Sequence, residues 1–89
     1  MNAKDRKQAS SLADRLAKLQ DELNTIKDEL EAMADAEQEK LDNMAESFRD
    51  GEKGERMQEQ QEALQTAVDA CDSAAESVGE AMDVLNDLN

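Results

Sequence analysis

Eighty-nine residues with a mass of 9.8 kDa allow one small domain, and 23 acidic against 10 basic side chains leave a formal charge of −13. That balance argues against direct nucleic-acid binding, which rests on clustered Lys and Arg, and against an anionic membrane surface. With no His, Trp, Tyr or Pro and a single Cys, the commonest general acid–base group and metal ligand is missing, and no disulfide can close within the chain. No catalytic residue, cofactor or metal is therefore expected. Cys71 fits a reducing interior. Residues 1–20 hold no apolar run of signal-peptide length and nothing later approaches a membrane span, so a cytoplasmic protein is expected.

Composition gives two opposed signals. Leu, Ile, Val and Phe total only 14 residues, a feature of disordered chains, whereas Ala, Glu, Lys, Leu and Arg make up 45 of 89, a feature of long helices. Periodicity decides between them. Leu12, Leu16, Leu19, Leu23, Ile26, Leu30 and Met33 alternate at spacings of four and three, a heptad seam. The alternation resumes in a shifted frame through Ala34, Glu37, Leu41, Met44 and Phe48, which reads as a four-residue stutter. This predicts a first helix over about residues 5–47. On its outermost column aspartate recurs every seventh residue, at Asp14, Asp21, Asp28, Asp35 and Asp42, as a solvated face would have it.

A turn follows at about residues 48–54, which hold two of the three glycines and the Asp50-Gly51 pair, with Asp50 a candidate helix cap. Phe48, the only aromatic residue, is expected to plug the hairpin end. The second helix, about residues 52–87, carries a seam through Met57, Gln61, Leu64, Val68, Cys71, Ala75, Val78, Met82 and Leu85. Beside it runs a stripe of small residues: Ala63, Ala67, Ala70, Ala74, Ser77 and Ala81, then Val84. The short connection makes the helices antiparallel neighbours, with Leu41 near Leu64, Leu30 near Ala75 and Leu19 near Leu85. The first helix should then overhang the second by more than ten residues. This register brings the net +3 of residues 1–20 beside the net −8 of residues 57–89 and offsets two unfavourable macrodipole ends. Gln61 and Glu37 read as polar layers within the seams, and Cys71, Met33, Met44, Met57 and Met82 as core packing.

The fold class is thus all-α: an antiparallel helical hairpin of a single domain, coiled-coil in its pairing. Seam and small-residue stripe together span more arc than one partner helix covers, so a homodimer or larger homo-oligomeric bundle is expected. Its interface would involve Ala63, Leu64, Ala67, Val68, Cys71, Ala74, Val78, Ala81, Met82 and Leu85. Gly51-Glu52-Lys53-Gly54 matches the GxxG loop of KH domains in letters only, since the α/β surroundings and basic flanks are missing.

Asn43-Met44-Ala45-Glu46-Ser47-Phe48 followed by Gly54-Glu55-Arg56-Met57 resembles a pattern in small helical proteins encoded by phages and prophages, most without an assigned function. The family's segment commonly reads Asn-Met-Pro-Glu-Ser-Leu; this chain has Ala45 in place of the Pro, which bears on where the first helix ends. The resemblance implies a phage setting and the cytoplasm of a host cell. By analogy with acidic phage proteins it implies action against a host defence function. The expected role is that of a non-enzymatic interaction protein binding a partner with a basic surface. Asp69, Asp72, Glu76, Glu80, Asp83 and Asp87, spread over about 27 Å of helix, would meet that partner. Two alternatives stand beside it. One is an oligomeric sponge for a small anionic ligand such as a nucleotide signal, with cations at Lys4, Arg6, Lys7, Arg15 and Lys18 or at Arg49, Lys53 and Arg56. The other is a structural component of the virion or of its assembly.

Overall fold

A computed structural model describes residues 1–88. They form three helices: α1 (Ala3–Asp42), α2 (Glu46–Arg49) and α3 (Glu52–Asn86). α1 runs for 40 residues because nothing in it breaks a helix: no Gly, no Pro and only Thr25 and Ile26 β-branched. Asn2 caps its start, the side-chain Oδ1 accepting from the Asp5 amide at 2.8 Å. Asp5 in the first turn and Lys40 in the last match the macrodipole.

α1 and α3 lie side by side and antiparallel. Gln20 Nε2 donates to the Ala75 carbonyl at 3.0 Å, and Lys27, further along α1, meets Asp72, further back on α3. The pairing makes a rod of 68 × 14 × 13 Å with a radius of gyration of 19.9 Å. A globule of this length would have one near ~12 Å. No helix among the described residues is long and apolar enough to cross a membrane.

The register differs from the one expected. Ala75 lies against Gln20 rather than Leu30, a displacement of ten residues or about 15 Å. The cause is in the connection. α1 stops at Asp42 rather than near residue 47, even without the proline at position 45, and the chain makes a separate helical turn, α2, before α3 begins. The reversal is therefore centred near Phe48 instead of Gly51–Gly54. α1 overhangs α3 by about six residues rather than more than ten. The basic N-terminal residues reach the acidic end of α3, but no described ion pair joins them.

The seam of α3 is the expected one: Val68 and Ala75 are buried, and Met57, Gln61, Leu64, Cys71, Val78, Met82 and Leu85 are half-buried. The seam of α1 is not. Its inward residues are Ala9, Ala13, Leu16, Gln20, Leu23, Lys27, Leu30, Ala34, Glu37, Leu41 and Met44, one unbroken four–three alternation with no stutter. Leu12, Leu19, Ile26 and Met33, read as core from their size, are instead 41%, 56%, 36% and 55% exposed. Six described apolar residues are buried, and four of them are alanine: Ala9, Ala13, Ala34 and Ala75, with Leu41 and Val68.

Candidate interaction surfaces

With the inward columns named a (Ala13, Gln20, Lys27, Ala34, Leu41; Gly54, Gln61, Val68, Ala75, Met82) and d (Leu16, Leu23, Leu30, Glu37, Met44; Met57, Leu64, Cys71, Val78, Leu85), every other residue has a fixed place. In an antiparallel pair the two g columns flank one side of the seam and the two e columns the other. Contacts confirm this. Met33 and Ala36 of α1 line one groove of about 530 Å³ with Ala63 and Leu64 of α3, all from columns g, c and d. On the other side Lys27 Nζ reaches Asp72 Oδ1, a column-e residue, at 3.4 Å.

The e side is acidic. Asp14, Asp21, Asp28, Asp35 and Asp42 occupy column b of α1, and Glu55, Glu62, Asp69, Glu76 and Asp83 occupy column b of α3; all are exposed. From Asp14 onward no Lys or Arg stands in column b or e of either helix. The aspartates of α1 are thus not on the outermost column, as the shifted frame implied, but turned toward the same side as the acids of α3. Lys27 is the cation that enters this field, and the hydrogen bond it donates to Asp72, followed by the charge of that carboxylate, raises its pKa above the ordinary 10.5.

The g side is mostly apolar: from Leu12 onward its only acids are Glu22 and Glu29, in column c of α1. Column g of α1 carries Leu12, Leu19, Ile26 and Met33, and columns g and c of α3 from Lys53 to Val84 hold no acidic residue. Ala63, Ala70 and Ala81 are exposed there, and Ala67 and Ala74 half-buried. Leu12 and Asp14 are two residues apart, so the apolar and acidic columns of α1 point roughly 160° from each other.

Residues singled out from the sequence divide accordingly. Of the acidic stripe, Asp69, Glu76 and Asp83 share the acidic face with α1, Asp72 is held by Lys27, and Glu80 and Asp87 sit on the outer column. Of the expected oligomer interface, Leu64, Val68, Cys71, Val78, Met82 and Leu85 are already packed in the hairpin seam, while Ala63, Ala67, Ala74 and Ala81 border the open face. The anion contacts are mostly engaged. Arg49 spends its guanidinium on the end of α1: Nε donates to the Leu41 carbonyl at 3.2 Å, and Nη2 to those of Asp42 at 3.3 Å and Met44 at 3.2 Å. Arg56 pairs with Glu52 at 3.7 Å, and Lys53 borders a second, smaller groove of about 450 Å³ with Met44 and Met57.

Phe48 does not plug the hairpin; it is 64% exposed on α2. Asp50 does not cap α3 either, because Gly51 is the cap residue and no side chain closes that end. Met33 lies on the open face, while Met44, Met57 and Met82 are half-buried at seam positions. Sequence reasoning missed the role of Gly54. A Cβ there would lie 2.0 Å from the Arg49 carbonyl oxygen and 2.6 Å from its Cα, so the glycine lets α2 cross the start of α3. No described group of three or more His, Cys, Asp or Glu is arranged to hold a metal ion. The chain matches no protein-family model, curated protein or solved structure.

Proposed function

We propose that this chain is a non-enzymatic interaction protein, a self-associating helical hairpin that binds a protein with a basic surface through its acidic face. The observation that carries the reading is the alignment of ten carboxylates, in column b of both helices, on one side of a rod whose other side is mostly apolar and holds, from Leu12 onward, only Glu22 and Glu29. Carboxylates in register along a rigid helix present a field to which a basic groove is complementary, and steering by such a field accelerates encounter. The resemblance of residues 43–57 to small phage proteins supports a phage setting, in which the basic partner is a host defence protein.

The sponge reading is weakened at one of its two cation clusters, where Arg49 and Arg56 already have partners within the chain, while the other, Lys4, Arg6, Lys7, Arg15 and Lys18, makes no described ion pair. The experiment is affinity capture from host cells with the parent chain and with an Asp69→Lys, Glu76→Lys, Asp83→Lys variant. The expected result is a partner retained by the parent, released by salt and lost with the variant. Equal capture by both chains refutes the acidic face as the binding surface.

A further inference from the structure

The hairpin leaves its g face uncovered, and we infer that a second copy of this chain covers it, stacked face to face with the turn of one copy beside the open end of the other. The inference rests on the self-association proposed above and adds the face, the register and the sense.

Four observations carry it. The hairpin alone buries little: four of its six buried apolar residues are alanine, while Leu12, Leu19, Ile26 and Met33 stay in water. A two-helix rod leaves more of its apolar surface in water than a compact domain of the same length, and burial against another copy recovers it. The acidic face is closed to a second copy by its own charge, so an identical chain of charge −13 approaches on the g side. The area also suffices. A face 68 Å long and 14 Å wide has a footprint of roughly 900 Å², against the ~800 Å² per partner of a standard stable interface.

The columns themselves are palindromic. On α1, Leu12, Leu19, Ile26, Met33 and Lys40 are spaced symmetrically about Ile26; on α3, Ala63 and Ser77 are spaced symmetrically about Ala70, and Ala67 and Ala74 about a point half a residue beyond it. The hydrogen bond of Gln20 to Ala75, and the groove that Met33 and Ala63 line from opposite helices, place Ile26 and Ala70 at one level of the rod. One two-fold axis at that level, perpendicular to the rod, serves both helices. It sets Ile26 against Ile26, Leu19 against Met33 and Ala67 against Ala74 of the second copy, a closed isologous contact. Leu12 and Leu19 of the second copy then lie over the groove beside Met33 and Ala63.

Charge selects this sense over its alternative. Residues 36–60 carry eight acidic and four basic groups, net −4. At the other end the net +3 of residues 1–20 meets the four acids Glu76, Glu80, Asp83 and Asp87, for a net −1. Stacking turn on turn sets −4 against −4; stacking turn on open end does not.

Sedimentation equilibrium of the whole chain tests the face. The expected mass is twice 9.8 kDa, falling to that of one chain in a Leu19→Glu, Ile26→Glu variant that keeps its helical circular dichroism. Disulfide trapping tests the sense, in a Cys71→Ser background to remove the native thiol. Ala70→Cys should give a covalent dimer on mild oxidation, and Phe48→Cys should not. A parent mass of one chain or of more than two, a doubled mass that survives both glutamates, or trapping at position 48 but not 70 would overturn the inference. Should the glutamate variant fail to fold, the parent mass and the trapping still decide. Loss of partner capture on charge reversal leaves these readouts untouched, so the two proposals fail separately.

Discussion

Replacing Gly54 by alanine sets two effects of opposite sign against each other. Gly54 lies within α3 with helical neighbours on both sides, and helix propensity alone makes Gly→Ala there stabilising by about 1 kcal/mol. The added methyl would stand 2.0 Å from the Arg49 carbonyl oxygen and 2.5 Å from its carbon. Both are backbone atoms, so relief requires α2 to move by about an ångström or more. Overpacking of this kind costs roughly 1–3 kcal/mol. Moving Arg49 also weakens its three hydrogen bonds to the carbonyls of Leu41, Asp42 and Met44, at about 1–2 kcal/mol for a partly exposed group. The net expectation is a loss of about 2–3 kcal/mol, or some 10–20 °C in Tm for a chain of this size. Thermal unfolding followed by circular dichroism at one fixed protein concentration measures it. Gly79→Ala is the comparison variant: its methyl meets no backbone, only Gln20 Nε2 at 2.9 Å, which must shift against its hydrogen bond to the Ala75 carbonyl, so a loss of about 1 kcal/mol there offsets a propensity gain of about 1 kcal/mol and the net change should be near zero. A Gly54→Ala protein as stable as its Gly79→Ala counterpart would refute the assigned crossing of α2 over α3.

Further expectations come from the charges. Arg49→Ala, and to nearly the same degree Arg49→Lys, should cost about 1–2 kcal/mol, because one ammonium cannot reach three carbonyls as the guanidinium fork does; urea unfolding reads this, and an unchanged midpoint contradicts it. Lys27 should titrate above 10.5 in the folded chain and return toward it in Asp72→Asn, as followed by NMR of its side chain. Because the folded pKa is the raised one, any stability from this pair is complete below 10.5 and disappears as pH rises through the folded value. Aspartates seven residues apart along α1 are about 10.5 Å from one another, close to the Debye length at 0.1 M salt. Sodium chloride should therefore raise Tm, by screening repulsion within a chain of charge −13. A Tm that falls with salt would mean that ion pairs, not repulsion, dominate.

The architecture was largely legible in the sequence, and the reason is the seam of the second helix. Met57 to Leu85 keep their four–three spacing with larger apolar residues on the seam and small or polar ones beside it, so periodicity and burial agree. On the first helix they part. Leu12, Leu19, Ile26 and Met33 outweigh Ala13, Gln20, Lys27 and Ala34 in hydrophobicity, and a reading by size places the wrong column inward. Of the three polar side chains at seam positions of α1, Gln20 and Lys27 each find a partner across the seam, the Ala75 carbonyl and the Asp72 carboxylate, while Glu37 pairs with Lys40 of its own helix. No local pattern announces such long-range pairs. The turn was misjudged for a similar reason. Gly51 and Gly54 read as loop residues, yet no glycine has a positive φ, and Gly54 matters for the backbone it lets pass. The acidic face was half visible: the period of the aspartates was plain, but their convergence with Asp69, Glu76 and Asp83 depends on the frame of α1.

Small-angle scattering of the intact chain tests the central claim most directly: a straight hairpin, stacked on a second copy through its apolar side with its acids outward. Copies about 10 Å apart add little to a radius of gyration of 19.9 Å. The expected result is therefore a doubled mass, a radius of about 20–21 Å and a longest dimension still near 68 Å. A single-chain mass, or a longest dimension well beyond that of one rod, would contradict it.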